Sequence, residues 1–294
     1  MFLCSKILIF FIKKFVENYW KIIQSELAGL KKCGSYFCYG KSEMGRRLWA
    51  FKFGCGGKKI LVQGATHARE FVTTFFLLKL CKYLAAINLS GTVIVCPLAN
   101  PDGVALCLCG EKFLKGKYKE IMRQVFENCK PNLIKCNGRG VDINVNFDAC
   151  WGGGKRNFFG YPAAENYLGL SPESESETKA LARLAKDFAP DVTISYHSKG
   201  EVVYYGFEKK KMDKTSKKLL SIIKHETGYN CYKTRNSCGG FKDFCIEKLN
   251  IPSFTIEVGN DKLPHPLGLD SVEEIFAQNK DIVPKMLKYL TGAC

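Results

Sequence analysis

The apolar positions of this chain change period along its length, and the changes mark its elements. Residues 7–31 predict an amphipathic leading helix that ends near Gly29 or Gly34. Residues 47–53, Arg-Leu-Trp-Ala-Phe-Lys-Phe, alternate as a half-buried strand does, and Gly54 to Gly57 supply a turn into the next run. That run, Ile60-Leu61-Val62, is short and wholly apolar, and residues 70–87 are apolar on most faces, which predicts a well-buried helix. A short strand over residues 93–95 stops at Pro97, and Asn100-Pro101-Asp102-Gly103 is a strong turn signal.

Residues 130–170 show little periodicity and many Gly, Asn and Pro residues. A tract of that length is usually functional or disordered; Phe147, Trp151, Phe158, Phe159 and Tyr161 favour an ordered one. Ser171-Pro172-Glu173 then predicts a helix start, with a capping serine, a proline in the first turn, and Glu173, Glu175 and Glu177 near the positive end. Apolar strands over residues 192–196 and 253–256 follow, with helices over 212–227, 240–249 and 271–290, the last kinked at Pro284. Strands alternating with helices, without an internal repeat or Ser/Gly linker, predict one α/β domain over residues 40–294, with the leading helix and a linker (1–39) packed on it.

Composition narrows the class. Over 294 residues, 46% apolar and 24% charged is ordinary globular usage, so disorder and coiled coil are disfavoured. The net charge of +16 comes with basic runs, Lys209-Lys210-Lys211 and Lys217-Lys218, that lack interleaved aromatics, so no nucleic-acid partner is expected. The charge fits anionic small substrates equally well. Fifteen cysteines, an odd number at irregular spacing and without a Cys-x-x-Cys pair, read as reduced thiols of a cytoplasmic protein. The apolar run over residues 7–12 is too short for a signal-peptide core or a membrane span, and no other segment reaches spanning length. The oligomeric state has no sequence signal.

Three apolar strands end on residues that carry chemistry. The first leads through Gln63-Gly64-Ala65-Thr66 to His67 and, three residues on, Glu70. An imidazole and a carboxylate at one strand tip supply two of the three protein ligands that an open catalytic zinc site needs. The strand over residues 192–196 ends in His197, which can supply the third, and the strand over 253–256 ends in Glu257, a candidate base. The helical His-Glu-x-x-His pattern of other zinc peptidases is absent.

With these strand ends, the chain resembles the zinc carboxypeptidase family, the carboxypeptidase A-like metallopeptidases, in five segments that occur in family order. They are Gly64-Ala65-Thr66-His67-Ala68-Arg69-Glu70, Asn100-Pro101-Asp102-Gly103, Gly140-Val141-Asp142-Ile143-Asn144, Ser195-Tyr196-His197-Ser198 and Thr255-Ile256-Glu257. The resemblance implies a mixed, twisted central sheet flanked by helices and one Zn2+ held by His67, Glu70 and His197, with water at the fourth place. It implies Glu257 as general base and Asp142 as the residue that orients a ligand imidazole.

The departures bear on substrate. The family follows its counterpart of Asn144 with an arginine that helps grip a terminal carboxylate; here the residue is Val145. Lys135 stands where bacterial members place an oxyanion-stabilising arginine, Arg235 where the family has a mobile tyrosine, and Lys242 at the specificity position before Asp243. Together with the stretches 135–140, which contains Arg139, and 147–155, these changes resemble the bacterial branch that acts on murein peptides. The resemblance implies hydrolysis of the gamma-D-glutamyl-meso-diaminopimelate bond, with Asn144, Arg235, Lys242 and Arg139 binding substrate and Asp148 or Asp243 near its amine. Release of ordinary C-terminal residues, or zinc-dependent binding of wall fragments without catalysis, are the alternatives.

Overall fold

The structure, a computed structural model, describes residues 18–114, 116–207 and 210–293. The apolar run over residues 7–12, the first part of the expected leading helix, and Lys209 lie outside them. The helix is present over residues 18–30 (α1). Trp20, Ile23, Leu27 and Leu30 are buried at helical spacing and join the main core, with Tyr19 against Phe71 and Phe75.

Among the described residues, eight strands form a single mixed sheet: β1 (Ser35–Lys41), β2 (Arg47–Phe53), β3 (Lys59–Gly64), β4 (Thr92–Cys96), β5 (Val192–Ser198), β6 (Val202–Tyr205), β7 (Asn230–Lys233) and β8 (Ser253–Val258). Their order is β1-β2-β4-β3-β5-β8-β6-β7. The central β4, β3, β5 and β8 run parallel, while β2 pairs antiparallel with β4 and β6 antiparallel with β8. All of β4 and β5 is buried, as strands covered by helices on both faces must be.

Alternate residues of β3 enter opposite cores. Ile60 and Val62 pack into the larger one with α2 (Val72–Ala86), and Leu61 into the smaller one with Leu181, Phe241 and Phe244. Leu181 belongs to α5 (Ser176–Phe188), whose Ala180 sits so close to β1 that a Cβ on Gly40 would lie 2.5 Å from its Cβ. The α/β class and mixed sheet expected from sequence are therefore the observed architecture.

Several local expectations change. Asn100 to Gly103 is the start of α3 (Pro101–Cys109) rather than a free turn: the Asn100 side chain accepts the Gly103 N–H at 2.9 Å and Pro101 takes the first helical position. The pattern also gave no warning of α4 (Lys117–Asn128), or of the edge strands β1, β6 and β7. The helix expected at Ser171 begins at Ser176, because the Asn146 side chain accepts the Glu175 N–H and Glu175 and Glu177 turn inward to the Asn137 amide. After α6 (Lys214–Thr227) and α7 (Phe241–Glu247), the final helix is two, α8 (Val272–Asn279) and α9 (Ile282–Thr291). The break precedes Pro284, which sits in the first turn of α9, where its missing N–H costs nothing.

Candidate metal centre

The neighbours β3, β5 and β8 are parallel, so their carboxyl ends open on one side of the sheet, the usual place for a site in an open α/β fold. Gly64 is registered with Tyr196, and His197 with Glu257. From Gly64 the chain turns through Ala65, at φ +50°, into a short 3-10 turn, Ala68–Glu70. Thr73 holds that turn closed: its hydroxyl accepts the Ala65 N–H and donates to the Glu70 carbonyl, each at 2.8 Å. A Cβ on Gly64 would lie 2.7 Å from Leu77 and 3.1 Å from the Thr73 hydroxyl, so α2 can approach this closely only at a glycine.

Asn100 locks the same turn from the other side. Its amide donates to the Thr66 carbonyl at 3.0 Å and the Cys136 carbonyl at 3.1 Å, while its own N–H donates to Ala65. The Ala68 and Arg69 N–H groups donate to the carbonyls of Lys135 and Ile134, which fastens the 130–170 tract to the strand end.

His67, Glu70 and His197 meet as a result. His67 Nδ1 lies 2.8 Å from Glu70 Oε1, His197 Nδ1 lies 2.9 Å from Oε2, and the two Nδ1 atoms are 3.2 Å apart. All three residues are buried, and their ligand atoms fall within 4.8 Å of one another. His67 Nε2 is 3.3 Å from Asp142 Oδ1, which assigns the ring proton to Nε2 and leaves the Nδ1 lone pair facing the shared point. Asp142 is itself held by the N–H groups of Asn144 and Asn166.

The donor set fits a divalent cation. Two imidazoles and a buried carboxylate converge with their ligand atoms within 4.8 Å of one another, which is the donor set of an open zinc site. Electrostatics agrees. Burial works against a charged His67, but Glu70 and Asp142 outweigh it and raise the imidazole to about 9. Burial also opposes an ionised Glu70, yet the two imidazoles hold it well below the usual carboxylate range. Half-buried Glu257 is pushed up to about 8 by burial and by Glu70, with His67, Lys135 and Arg69 pulling the other way.

The remaining residues read from sequence fall in varied surroundings. Lys135 lies near enough to act on Glu257, and its Nζ is 3.2 Å from Glu165. Asn144 follows Asp142 in a 3-10 turn and faces the start of α7, its side-chain oxygen 3.5 Å from the Phe241 N. Arg235 is exposed. Lys242 is no open cation: its ammonium is buried against Asp243 and the Gly206 carbonyl. Arg139 faces Glu43 and Glu175 at 3.7 and 3.5 Å, and Asp148 is exposed beside Lys248. Sequence reasoning missed the support given by Thr73 and Asn100, and His265, half-buried and lowered to about 4 by burial and by the cations Arg69, Lys199 and Lys135. Arg69, between two site residues, had a signal; Glu165, thirty positions from Lys135, had none.

Compared with known proteins, residues 16–285 match the family model described as zinc carboxypeptidase. The chain is 30% identical over 251 residues to the uncharacterized protein YqgT of Bacillus subtilis, covering 77% of this chain and 65% of that one. It is 26% identical over 243 residues to gamma-D-glutamyl-L-diamino acid endopeptidase 1 of Lysinibacillus sphaericus, covering 78% and 61%. The chain thus spans less than two thirds of both relatives. Among solved structures it is similar to murein-tripeptide amidase MpaA of Escherichia coli O157, at TM-score 0.59 and 21% identity, over 85% of this chain and 92% of that one.

Proposed function

The chain belongs to the zinc carboxypeptidase family, and from that premise we propose that it is a zinc metallopeptidase that hydrolyses the gamma-D-glutamyl-diaminopimelate amide of murein peptides. The observation that carries the reading is the convergence of His67, Glu70 and His197, with Glu257 directly opposite His197 in the pairing of β5 with β8. The substrate is supported by the named activity of the Lysinibacillus relative and by Val145 in place of the arginine that serves ordinary C-terminal carboxypeptidases.

His67, Glu70 and His197 would hold one Zn2+. When bound, the ion polarises the scissile carbonyl and acidifies water. Asp142 keeps the His67 proton on Nε2, so that Nδ1 stays a donor. Glu257 accepts a proton from water and returns it to the leaving amine; its raised affinity for protons suits both steps. Lys135 faces the site with a compact charge that stabilises negative charge developing on the carbonyl oxygen. Asn144 and Arg235 take the substrate's anionic groups. Arg139, beside Glu43 and Glu175, and Lys242, against Asp243, complete the substrate-binding cations of this reading.

The buried thiols Cys81, Cys96, Cys136 and Cys245 suit the cytoplasm, where such an enzyme serves wall-peptide recycling or sporulation. No helix of the described residues is long and apolar enough to cross a membrane. Incubation of the zinc-loaded protein with the tripeptide L-Ala-gamma-D-Glu-meso-diaminopimelate yields free diaminopimelate, read by mass spectrometry. Intact tripeptide together with trimming of acidic, basic or aromatic peptide ends would replace this substrate with ordinary C-termini. Tight tripeptide binding without product would make the protein a binder.

A further inference from the structure

Lys135 and Arg69 are brought together by backbone, not by sequence. The Ala68 N–H donates to the Lys135 carbonyl at 3.1 Å and the Arg69 N–H to the Ile134 carbonyl at 2.9 Å. The 130–170 tract then returns, and the Ala164 carbonyl accepts the N–H groups of Lys135 and Cys136 at 2.8 and 3.0 Å. This return sets Glu165 against both cations. Its Oε2 lies 3.2 Å from Lys135 Nζ and 3.8 Å from Arg69 Nη2.

The three side chains are not alike in exposure. Those of Lys135 and Arg69 are each 21% exposed, that of Glu165 46%, so the cations belong to the wall and the carboxylate reaches them from the solvent side. Arg69 is further fixed by Nη1 donating to the Leu133 carbonyl at 3.2 Å, and its buried Nε has no acceptor. Both cations act on Glu257 across the site.

We infer that Lys135 and Arg69 form a carboxylate-binding subsite beside the metal centre, that Glu165 occupies it from within the chain, and that a substrate carboxylate enters by displacing Glu165. The inference rests on the hydrolase reading above and adds a specificity-determining residue to it. An exposed ion pair holds weakly, so a substrate carboxylate making the same two contacts can replace it. Glu165 also keeps two like charges from facing each other alone. Because its backbone is pinned at Ala164, only its side chain has to swing. Substrates without a carboxylate at this position gain nothing from displacing it.

The test is Glu165→Gln, which keeps shape and removes charge. KM is measured for the wall tripeptide and for the same peptide with its diaminopimelate carboxylates amidated. The ratio of the two KM values shifts about three- to fivefold in favour of the carboxylate form, the upper end of what an exposed ion pair contributes. A change shared equally by both peptides, or confined to kcat, makes Glu165 a support for Lys135 only and overturns the inference. Calorimetric titration with glutarate gives a second readout that needs no turnover. Glutarate binds Glu165→Gln tighter by a similar factor, and the gain vanishes when Lys135→Met is added. If the wild-type protein cleaves neither peptide, the hydrolase reading has failed by itself; unchanged glutarate affinity in Glu165→Gln would then reject the subsite independently.

Discussion

Glu257 carries a conflict at the scale of one residue. It is half-buried and opposed by the carboxylate of Glu70, while His67, Lys135 and Arg69 favour its ionised form. A group so placed binds and releases protons near neutrality, which a base that later acts as acid requires. Glu257→Gln should keep the metal and lower kcat by roughly 10²- to 10⁴-fold, whereas His67→Ala should lose metal and turnover together. Metal analysis beside steady-state kinetics separates them, and normal turnover in Glu257→Gln removes the base assignment. The sign of the pH dependence follows from the same neighbours. The base works ionised, so kcat/KM rises with pH through its ionisation, below about 8 once a cation lies beside it. Lys135 lowers that value, so Lys135→Met moves the acid limb to higher pH; a limb that stays put means that Lys135 does not face Glu257. Of these residues, His197 and Glu257 were legible in the sequence because each ends an apolar run, and His67 and Glu70 because they follow one across a short turn. The surroundings of Lys242 and Arg139 were not legible, because a cation's sequence position does not reveal that Asp243, or Glu43 and Glu175, stand beside it.

Among the elements, α3 does more for the site than its own length suggests. Asn100 caps it and with the same side chain ties the carbonyls of Thr66 and Cys136, so the helix start, the ligand turn and the 130–170 tract share one fully buried amide. Asn100→Ala leaves those carbonyls and the Gly103 N–H without partners, at a cost of about 2–4 kcal/mol. Urea unfolding measures it, and a loss under 1 kcal/mol would mean that water replaces the amide. Local sequence signals placed α2, α6, α7, β2, β3, β5 and β8 close to their observed bounds, because each has a clear period. They failed at Asn100 and Ser171 for a common reason. Asn, Pro, Asp, Ser and Glu suit a turn and a helix cap alike, and a contact far along the chain, such as Asn146 with Glu175, decides which forms.

For the molecule as a whole, the strand order is the decisive fact. Residues 67 and 197 are 130 positions apart, yet β3 and β5 are hydrogen-bonded neighbours and β8 lies next to β5. A site assembled from separate strand ends ties metal binding to the folded state. Zinc added to metal-free protein should therefore raise its stability by about 2.7 kcal/mol when the free ion exceeds Kd a hundredfold, a Tm shift on the order of 5 °C. Scanning calorimetry checks this, with His67→Ala as the control that shows no shift; an equal shift in both would place the ion elsewhere. The chain's own pattern of residues determined the α/β class, the elements with a clear period and the chemistry at three strand tips, because these depend on side chains a few positions apart. Tertiary structure alone decided which tips are adjacent, that His197 is level with Glu257, and that Glu165 meets Lys135 and Arg69. Such pairings are set by sheet order and loop return, whose free energy is spread over the whole core and written in no single segment.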